Sequence, residues 1–491
     1  MRIVLRSAHL LTLIGLAAAL ATAPAFAQFG GGGGGLGGGG LGGGGGGLGG
    51  GLGGGGGGGG LGGGASGVVV NASGVVSRHI VPDPDGQLSR QRIAQSVSLL
   101  EADLKQPSEL RKVSLTRLEA ALAKKLAQGG EPTEAMKALA GLTKINYVFC
   151  YPDTGDIVLA GPAEPWAADL AGRVRGVASG RPVLELQDLV TALRAFPPAA
   201  AGNEPLIYCS IDPTQEGLSR MQQWLRRFGR IDPRGNTQFI VKSLQDSLGM
   251  QVVTVGGVPA STHFAQVLVE ADYRMKLIGI GLERPPVRLT SYVDRANPAQ
   301  VSRNALQRWY FVPDYECLRT SDDGLAVEIV GDGVKLIGED EFVGQDGTRK
   351  SVGRSNNASS GFVKAFTKVY PKLAERSPVY AQLRNCIDLA VTAACIQQQD
   401  FYGLTGWQMP VLGDESAFAV ETFNAPQQVA TAVNAISKGN TLMTPIGGGV
   451  EIRPTWALKS GNVLEDSRGM VHAKRDQLAA PQLDEGQWWW D

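Results

Sequence analysis

In "THFAQVLVEADYRMK" the apolar residues Phe264, Val267, Leu268, Ala271 and Met275 recur at i, i+3, i+4, i+7 and i+11, the stripe of an amphipathic helix. Two acids interrupt it, Glu270 and Asp272, each four residues ahead of a cation, Arg274 and Lys276. Acid before base at i, i+4 is the favourable order, and residues two apart on a helix point in nearly opposite directions. The pattern therefore predicts two exposed structural ion pairs rather than a carboxylate dyad. The helix is expected to end near Tyr273 and to deliver the chain to a buried strand, "KLIGIGL".

The same helical rhythm puts Leu186, Leu189, Val190 and Leu193 on one face of "LELQDLVTALRAF", and runs from Leu88 to Leu142 with breaks at Pro107 and Gly129-Gly130. It predicts further helices over 238–248, 361–373, 377–399 and in "APQQVATAVNAISKG", closed by Gly439. Tyr380, Leu383, Ile387, Val391 and Ala394 form one face of the longest. Elsewhere β-rich runs flank turns: "GVVVNASGVVSRHIV" and "INYVFCYPDTGDIVLAG" read as hairpins. "PLIYCSI", a helix opened by Asp212 as cap with Pro213 in its first turn, a second helix and "MQVVTV" follow in alternation, the order of a βαβ core. From 307 to 343 short apolar runs separated by Asp-Gly turns predict an antiparallel meander. "GQDGTRKSVGRSNNASSG" reads as a mobile loop and "GGGVEIRPTWAL" as a strand. The fold class expected is mixed α/β (α+β): a βαβ core with an antiparallel meander and flanking helices, preceded by a disordered glycine-rich tail.

The chain opens with a basic start, Arg2 and Arg6, an apolar run from Leu10 to Ala23, and Ala25-Phe26-Ala27, the form of a cleaved secretory signal. About 14 apolar residues fall short of the roughly 20 that span a bilayer. Residues 28–67 are glycine with spaced leucines, a composition that has almost nothing to bury and stays disordered. The remainder divides by pattern into a mixed α/β segment, 68–288, a meander with two helices, 289–412, and a small α/β unit, 413–491. The last holds Trp488, Trp489 and Trp490, expected to dock on the body, with a partner or glycan platform as the alternative.

Composition narrows the function classes. Lys plus Arg and Asp plus Glu both number 46 in 491 residues, so no global field recruits nucleic acid or an anionic membrane. No second hydrophobic stretch approaches membrane-spanning length, so no stable span is expected once the signal is removed. Of the five cysteines, Cys386 and Cys395 lie about 13 Å apart along one helix, too far for a bridge. Cys150 and Cys209 end strand-like runs and are read as buried thiols, with a cross-strand bridge as the alternative. Beyond the signal only His79, His263 and His472 remain, so a multi-histidine metal site and a metal cofactor are not expected. HExxH, CxxC, GxSxG, GxxxxGK[ST] and a GxGxxG ahead of a helix are all missing, and with them the chemistry they signal. Arg226, Arg227 and Arg230 in "WLRRFGR" lie at a helix C-terminus, where cations complement the dipole.

Two strand-to-helix turns are the candidate ligand positions: "SIDPT", with Ser210 and Asp212, and "GGVPASTH", with Gly256, Gly257, Ser261, Thr262 and His263. Open α/β sheets bind ligands beyond the carboxyl ends of strands, and free N–H groups at a helix start hold anions. The plainer reading makes Asp212 and Ser261 or Thr262 ordinary helix caps.

The stretches "GDIVLAGPAEPW", "VEADYRMKLIGIGLE", "YFVPDYE", "LAVEIVGDGVKL" and "YAQLRNCIDLAV" resemble a family of secreted planctomycete proteins, the domain of unknown function DUF1598, over about Tyr147 to Gly406. The resemblance implies secretion and a globular body and transfers no functional residue. The expected function is that of a secreted or periplasmic, non-catalytic structural or binding component of the cell envelope, with an envelope protein or glycan as partner. The alternative is an envelope hydrolase working through acidic residues, which need no diagnostic short motif.

Overall fold

The structure, a computed structural model, describes residues 67–79, 81–198, 204–228, 237–296, 305–331, 333–353, 355–434, 446–478 and 483–491. The expected signal, 1–27, and all but the last residue of the glycine-rich stretch 28–67 lie outside them. The described residues all fall in one compact unit, Gly59–Asp491.

In chain order the strands are β1 (Val68–Val70), β2 (Val75–Arg78), β3 (Ser108–Ser114), β4 (Tyr147–Tyr151), β5 (Asp156–Ala163), β6 (Trp166–Ala168), β7 (Val174–Gly176), β8 (Ile207–Pro213) and β9 (Met250–Gly256). They continue with β10 (Ala305–Pro313), β11 (Leu318–Thr320), β12 (Ala326–Ile329), β13 (Val334–Val343), β14 (Arg349–Ser351), β15 (Gln428–Ala430), β16 (Ile446–Ile452), β17 (Leu464–Glu465) and β18 (Trp489–Trp490). The helices begin with α1 (Gln87–Leu99), α2 (Leu115–Ala127), α3 (Glu134–Lys137), α4 (Leu186–Ala195), α5 (Gln215–Phe228) and α6 (Thr237–Leu248). After them come α7 (His263–Gly279), α8 (Tyr292–Arg295), α9 (Asn357–Arg376), α10 (Pro378–Gln398), α11 (Phe401–Thr405) and α12 (Met470–Gln477).

The class is mixed α/β, built on a nine-stranded sheet, β1-β2-β15-β9-β8-β16-β10-β13-β14, and a seven-stranded sheet, β17-β11-β12-β4-β5-β3-β18. Both sheets take strands from each of the three stretches 68–288, 289–412 and 413–491, so no boundary at 288 or 412 separates them. The strand–helix–strand order of β8, α5, α6 and β9 is present, but β8 and β9 are antiparallel neighbours. A pair of helices that returns the chain beside β8 replaces the parallel crossover of a βαβ unit. The meander also divides: β10, β13 and β14 pair antiparallel in the large sheet, while β11 and β12 pair antiparallel in the other.

Both expected hairpins form, β1–β2 and β4–β5. Residues 108–114, inside the helical run, are a strand because β5 and β18 flank them and supply backbone partners. The helix expected over 425–439 begins instead as β15, drawn between β2 and β9 by their free edges; residues 435–439 lie outside the described set. The polar loop after residue 344 contains β14. Trp489 and Trp490 pair with β3, Trp488 and Trp490 are buried, and Arg111 lies 4.6 Å over the Trp489 ring. The tryptophans therefore dock.

The largest departure concerns α7. It runs to Gly279, so "KLIGIGL" is largely helix, and Glu270 and Asp272 are both fully buried. The helix packs on β8, β10 and β16 with α4 and α10 behind it. Such a helix is buried all round, and its polar positions do not mark a solvent face. Closure is a Schellman motif: Gly281, at φ +75°, donates to the Ile278 carbonyl, and Leu282 donates to that of Leu277. Behind it α10, with Pro378 at its first turn, is buried from Val379 to Ile396.

All five cysteines are free and buried, and Cys150 and Cys209 sit in different sheets. Thiol counting on denatured, unreduced protein should find five groups per chain, and on native protein almost none. A count of three in denaturant would reveal a bridge and contradict this arrangement.

Candidate functional site

Antiparallel pairing separates the two candidate turns. Gly256 at the end of β9 faces Tyr208, four residues before Asp212 at the end of β8, so the turns stand about 14 Å apart along the strands. They do not converge on one ligand. Asp212 is not a cap: its carboxylate lies 3.3 Å from Arg308 and 3.1 Å from Arg349. Capping falls to Thr214, whose hydroxyl accepts from the Gly217 N–H at 2.9 Å. Thr262 is the cap of α7, accepting from Ala265, while the Ser261 carbonyl accepts from the Phe423 N–H at 2.7 Å. Gly257, at φ +80°, turns tightly against the Leu206 carbonyl.

His263 turns inward. Its Nδ1 lies 2.9 and 3.0 Å from the two carboxylate oxygens of Asp188, in the first turn of α4. Its Nε2 lies 3.8 Å from Glu185, at the N-cap of α4, and 3.4 Å from the Gln382 amide on α10. The Gln382 carbonyl accepts from Arg173, whose second nitrogen bonds Glu270. Glu270 also takes Arg274 at 3.2 Å and the Gly67 N–H at 2.9 Å. Arg274 continues to Glu283 at 2.8 Å. A Cβ on Gly67 would stand 2.3 Å from Arg173 and 2.4 Å from Glu270, so only glycine closes this contact. On the opposite side of α7, Lys276 bonds Asp272 at 2.7 Å and the Ile211 carbonyl of β8 at 2.7 Å.

The expected i, i+4 pairs and their opposite directions are therefore present, but the expected exposure is wrong. Of this polar chain, sequence reasoning singled out His263, Glu270 and Arg274. Glu185, Asp188, Arg173 and Gln382 come from distant segments, and nothing in their spacing announces convergence.

Burial works against charge on His263, but Asp188 and Glu185 outweigh it and push its pKa up to about 10. Burial raises Glu185, with His263 pulling the other way. Asp272 is pushed up to about 6 by burial against the attraction of Lys276. A general base must release its proton near working pH and reach a substrate; His263 holds its proton far above neutrality and is 1% exposed. Cys386, buried nearby, is pushed well up by burial and stays a thiol. Ligand atoms of Glu185, Asp188 and His263 lie within 4.8 Å of one another, a grouping that the histidine count did not anticipate. Asp188 directs both oxygens at Nδ1, and the proton on the ring balances the cluster. A second grouping, Asp322, Asp323 and His472, lies toward the surface, with Asp323 2.6 Å from Arg475.

The outward face of the large sheet has a different character. Thr254, Ser210, Gly449, Tyr310 and Ile337 stand in one cross-strand row through β9, β8, β16, β10 and β13. Gly449 places no side chain between Ser210 and Tyr310. Beside the row Arg308 stacks 4.8 Å from the Tyr310 ring and pairs with Asp212 and Glu341. Thr254 and Ile337 are exposed and Ser210 and Tyr310 half-buried. This is an amphipathic, hydrogen-bonding surface.

A family model described as "Protein of unknown function (DUF1598)" matches residues 209–292, from within β8 to the start of α8. The match is narrower than the stretch of sequence resemblance, and it takes in all seven candidate residues. Arg173, Glu185, Asp188 and Gln382 fall outside it. Neither the comparison with curated proteins nor that with solved structures finds a match.

Two measurements check the buried chain. The folded pKa of His263, about 10, lies above its ordinary value of 6.5. Its contribution to stability is then fully present below pH 6.5 and lost as pH rises through 10. Urea unfolding of the wild type and of His263→Gln should show a stability gap that narrows steadily over that window, and a gap independent of pH would show an uncharged ring. Separately, Glu270→Gln breaks a buried pair and should cost about 3–5 kcal/mol, comparable with the roughly 2–5 kcal/mol of Leu268→Ala. A Glu270→Gln loss under about 1 kcal/mol is what an exposed pair would give and would contradict the burial.

Proposed function

We propose that this chain is a secreted, non-catalytic protein of the cell envelope that binds an envelope protein or glycan through the outward face of its large sheet. The carrying observation is the state of its acids: Asp188, Asp212, Glu270, Asp272 and Glu341 are each tied to an arginine, lysine or histidine. A carboxylate hydrolase needs two acids roughly 5 to 10 Å apart with water and substrate between them, whereas these are engaged with cations. The basic start, the short apolar run and Ala25-Phe26-Ala27 support export. The row from Thr254 to Ile337 supports binding, since tyrosine with neighbouring hydroxyl and arginine groups suits a polar partner with apolar patches.

Affinity capture from the producing cell's envelope, using the chain from Gln28 onward, tests partner and substrate class together. A discrete envelope component should be retained, unaltered, and lost with Tyr310→Ala at a urea midpoint that still reports a folded chain. Hydrolysis of an envelope polymer that disappears in a folded Glu341→Gln or Asp212→Asn variant would replace this reading with the hydrolase.

A further inference from the structure

The helical hairpin of α5 and α6 stands apart from the main core. It packs through Leu218, Met221, Ile240, Leu244 and Leu248 on Leu306 and Val343 at one end of the outward sheet face, as a small cluster of its own. Trp224 packs against that cluster from its edge, and the two phenylalanines beyond it do not join it. Trp224 stacks on Phe228 with ring centroids 4.7 Å apart, and Phe228 meets Phe239 of α6 at 6.1 Å. Phe228 is 38% and Phe239 51% exposed. Beside them Arg226 and Arg227 are exposed, and neither forms an ion pair among the described residues. On the hairpin as a whole Arg220, Arg226, Arg227 and Lys242 stand against Glu216 and Asp246, four cations to two acids.

Dipole complementarity explains why arginines are tolerated at the end of α5. It does not explain why two phenylalanines stand exposed there. Clustered apolar surface rimmed by charge marks an interaction site. We propose that this tip docks on an anionic phospholipid surface, the rings entering the headgroup layer and Arg226 and Arg227 meeting lipid phosphates. Two features select a bilayer over a protein partner. Aromatic rings with adjacent arginines are the composition of interfacial segments. The excess of cation is local, on a chain whose total charge is balanced, so attraction is confined to the tip. No helix among the described residues is long and apolar enough to cross a membrane, and contact through the tip needs none. The inference rests on the proposed export only for which membrane is met, and binding to lipid is independent of any captured partner.

Flotation of the chain from Gln28 onward tests it, with vesicles of phosphatidylcholine alone and of phosphatidylcholine mixed equally with phosphatidylglycerol. The protein should float with the anionic vesicles and remain below with the neutral ones, and added salt should release it. Each arginine near such a surface is worth about 1 kcal/mol, roughly fivefold in partition, so Arg226→Gln with Arg227→Gln should lower partition more than tenfold. Phe228→Ala with Phe239→Ala should lower it at least tenfold while the urea midpoint stays near that of the wild type. Wild-type protein that fails to float, or a folded phenylalanine variant that floats as well as wild type, overturns the proposal. So does a protein crosslinked to the tip while the vesicles float alone, which would assign the surface to a protein partner.

Discussion

A buried helix cannot leave a charge without its counter-charge, and α7 carries four along its length besides the protonated His263 at its start. Glu270, Asp272, Arg274 and Lys276 all lie within it, the first two with no exposed surface. Removing ions from water costs several kcal/mol each unless partners replace the solvent. The surrounding elements are placed accordingly: Arg173 reaches Glu270, and carbonyls of β8 and β16 receive Lys276. The first described residue of the chain supplies its N–H to Glu270. The stacking of the large sheet, α7 and α10 follows from these demands as much as from apolar contact.

The same requirement shapes the surface. Acids and the one deeply buried histidine are engaged with one another or with cations, and the groups still facing water are hydroxyls, tyrosine rings and paired arginines on the outer sheet face. Electrostatic pairing is thus concentrated in the interior and along the paired arginines of that face. The α5–α6 hairpin extends this division, because its small separate core leaves the distal rings outside.

Local signals were read well wherever a segment's own residues decide its form. The two hairpins, α4, α9 and α10 were legible because periodicity, proline and turn residues act within a few positions. The run "KLIGIGL" reads as a strand, although it continues α7 and Gly281 closes that helix. What was not legible depends on neighbours far along the chain. β15 and β3 are strands because free edges wait beside them, and the antiparallel turn of β9 against β8 is a property of the whole sheet. The Glu270 error has the same origin. Charge at i, i+4 reads as surface in isolation, and burial is made tolerable by partners far along the chain, Arg173 and the Gly67 N–H, beside Arg274. Of the candidate site, Thr262 was legible as a cap and His263 only as a position; nothing in the local sequence marks its partners Glu185 and Asp188.

One contact at the edge of the body carries a mechanical consequence. Gly67 is held by Glu270 through its N–H and by His79 through its carbonyl, and β1 is the outermost strand of the large sheet, paired only with β2. A pull on the chain ahead of Gly67 reaches this point first. It strains the charge-assisted hydrogen bond to Glu270 of α7 and peels a three-residue strand before the sheet centre feels the force. The body can thus yield at its margin under tension and keep its folded centre.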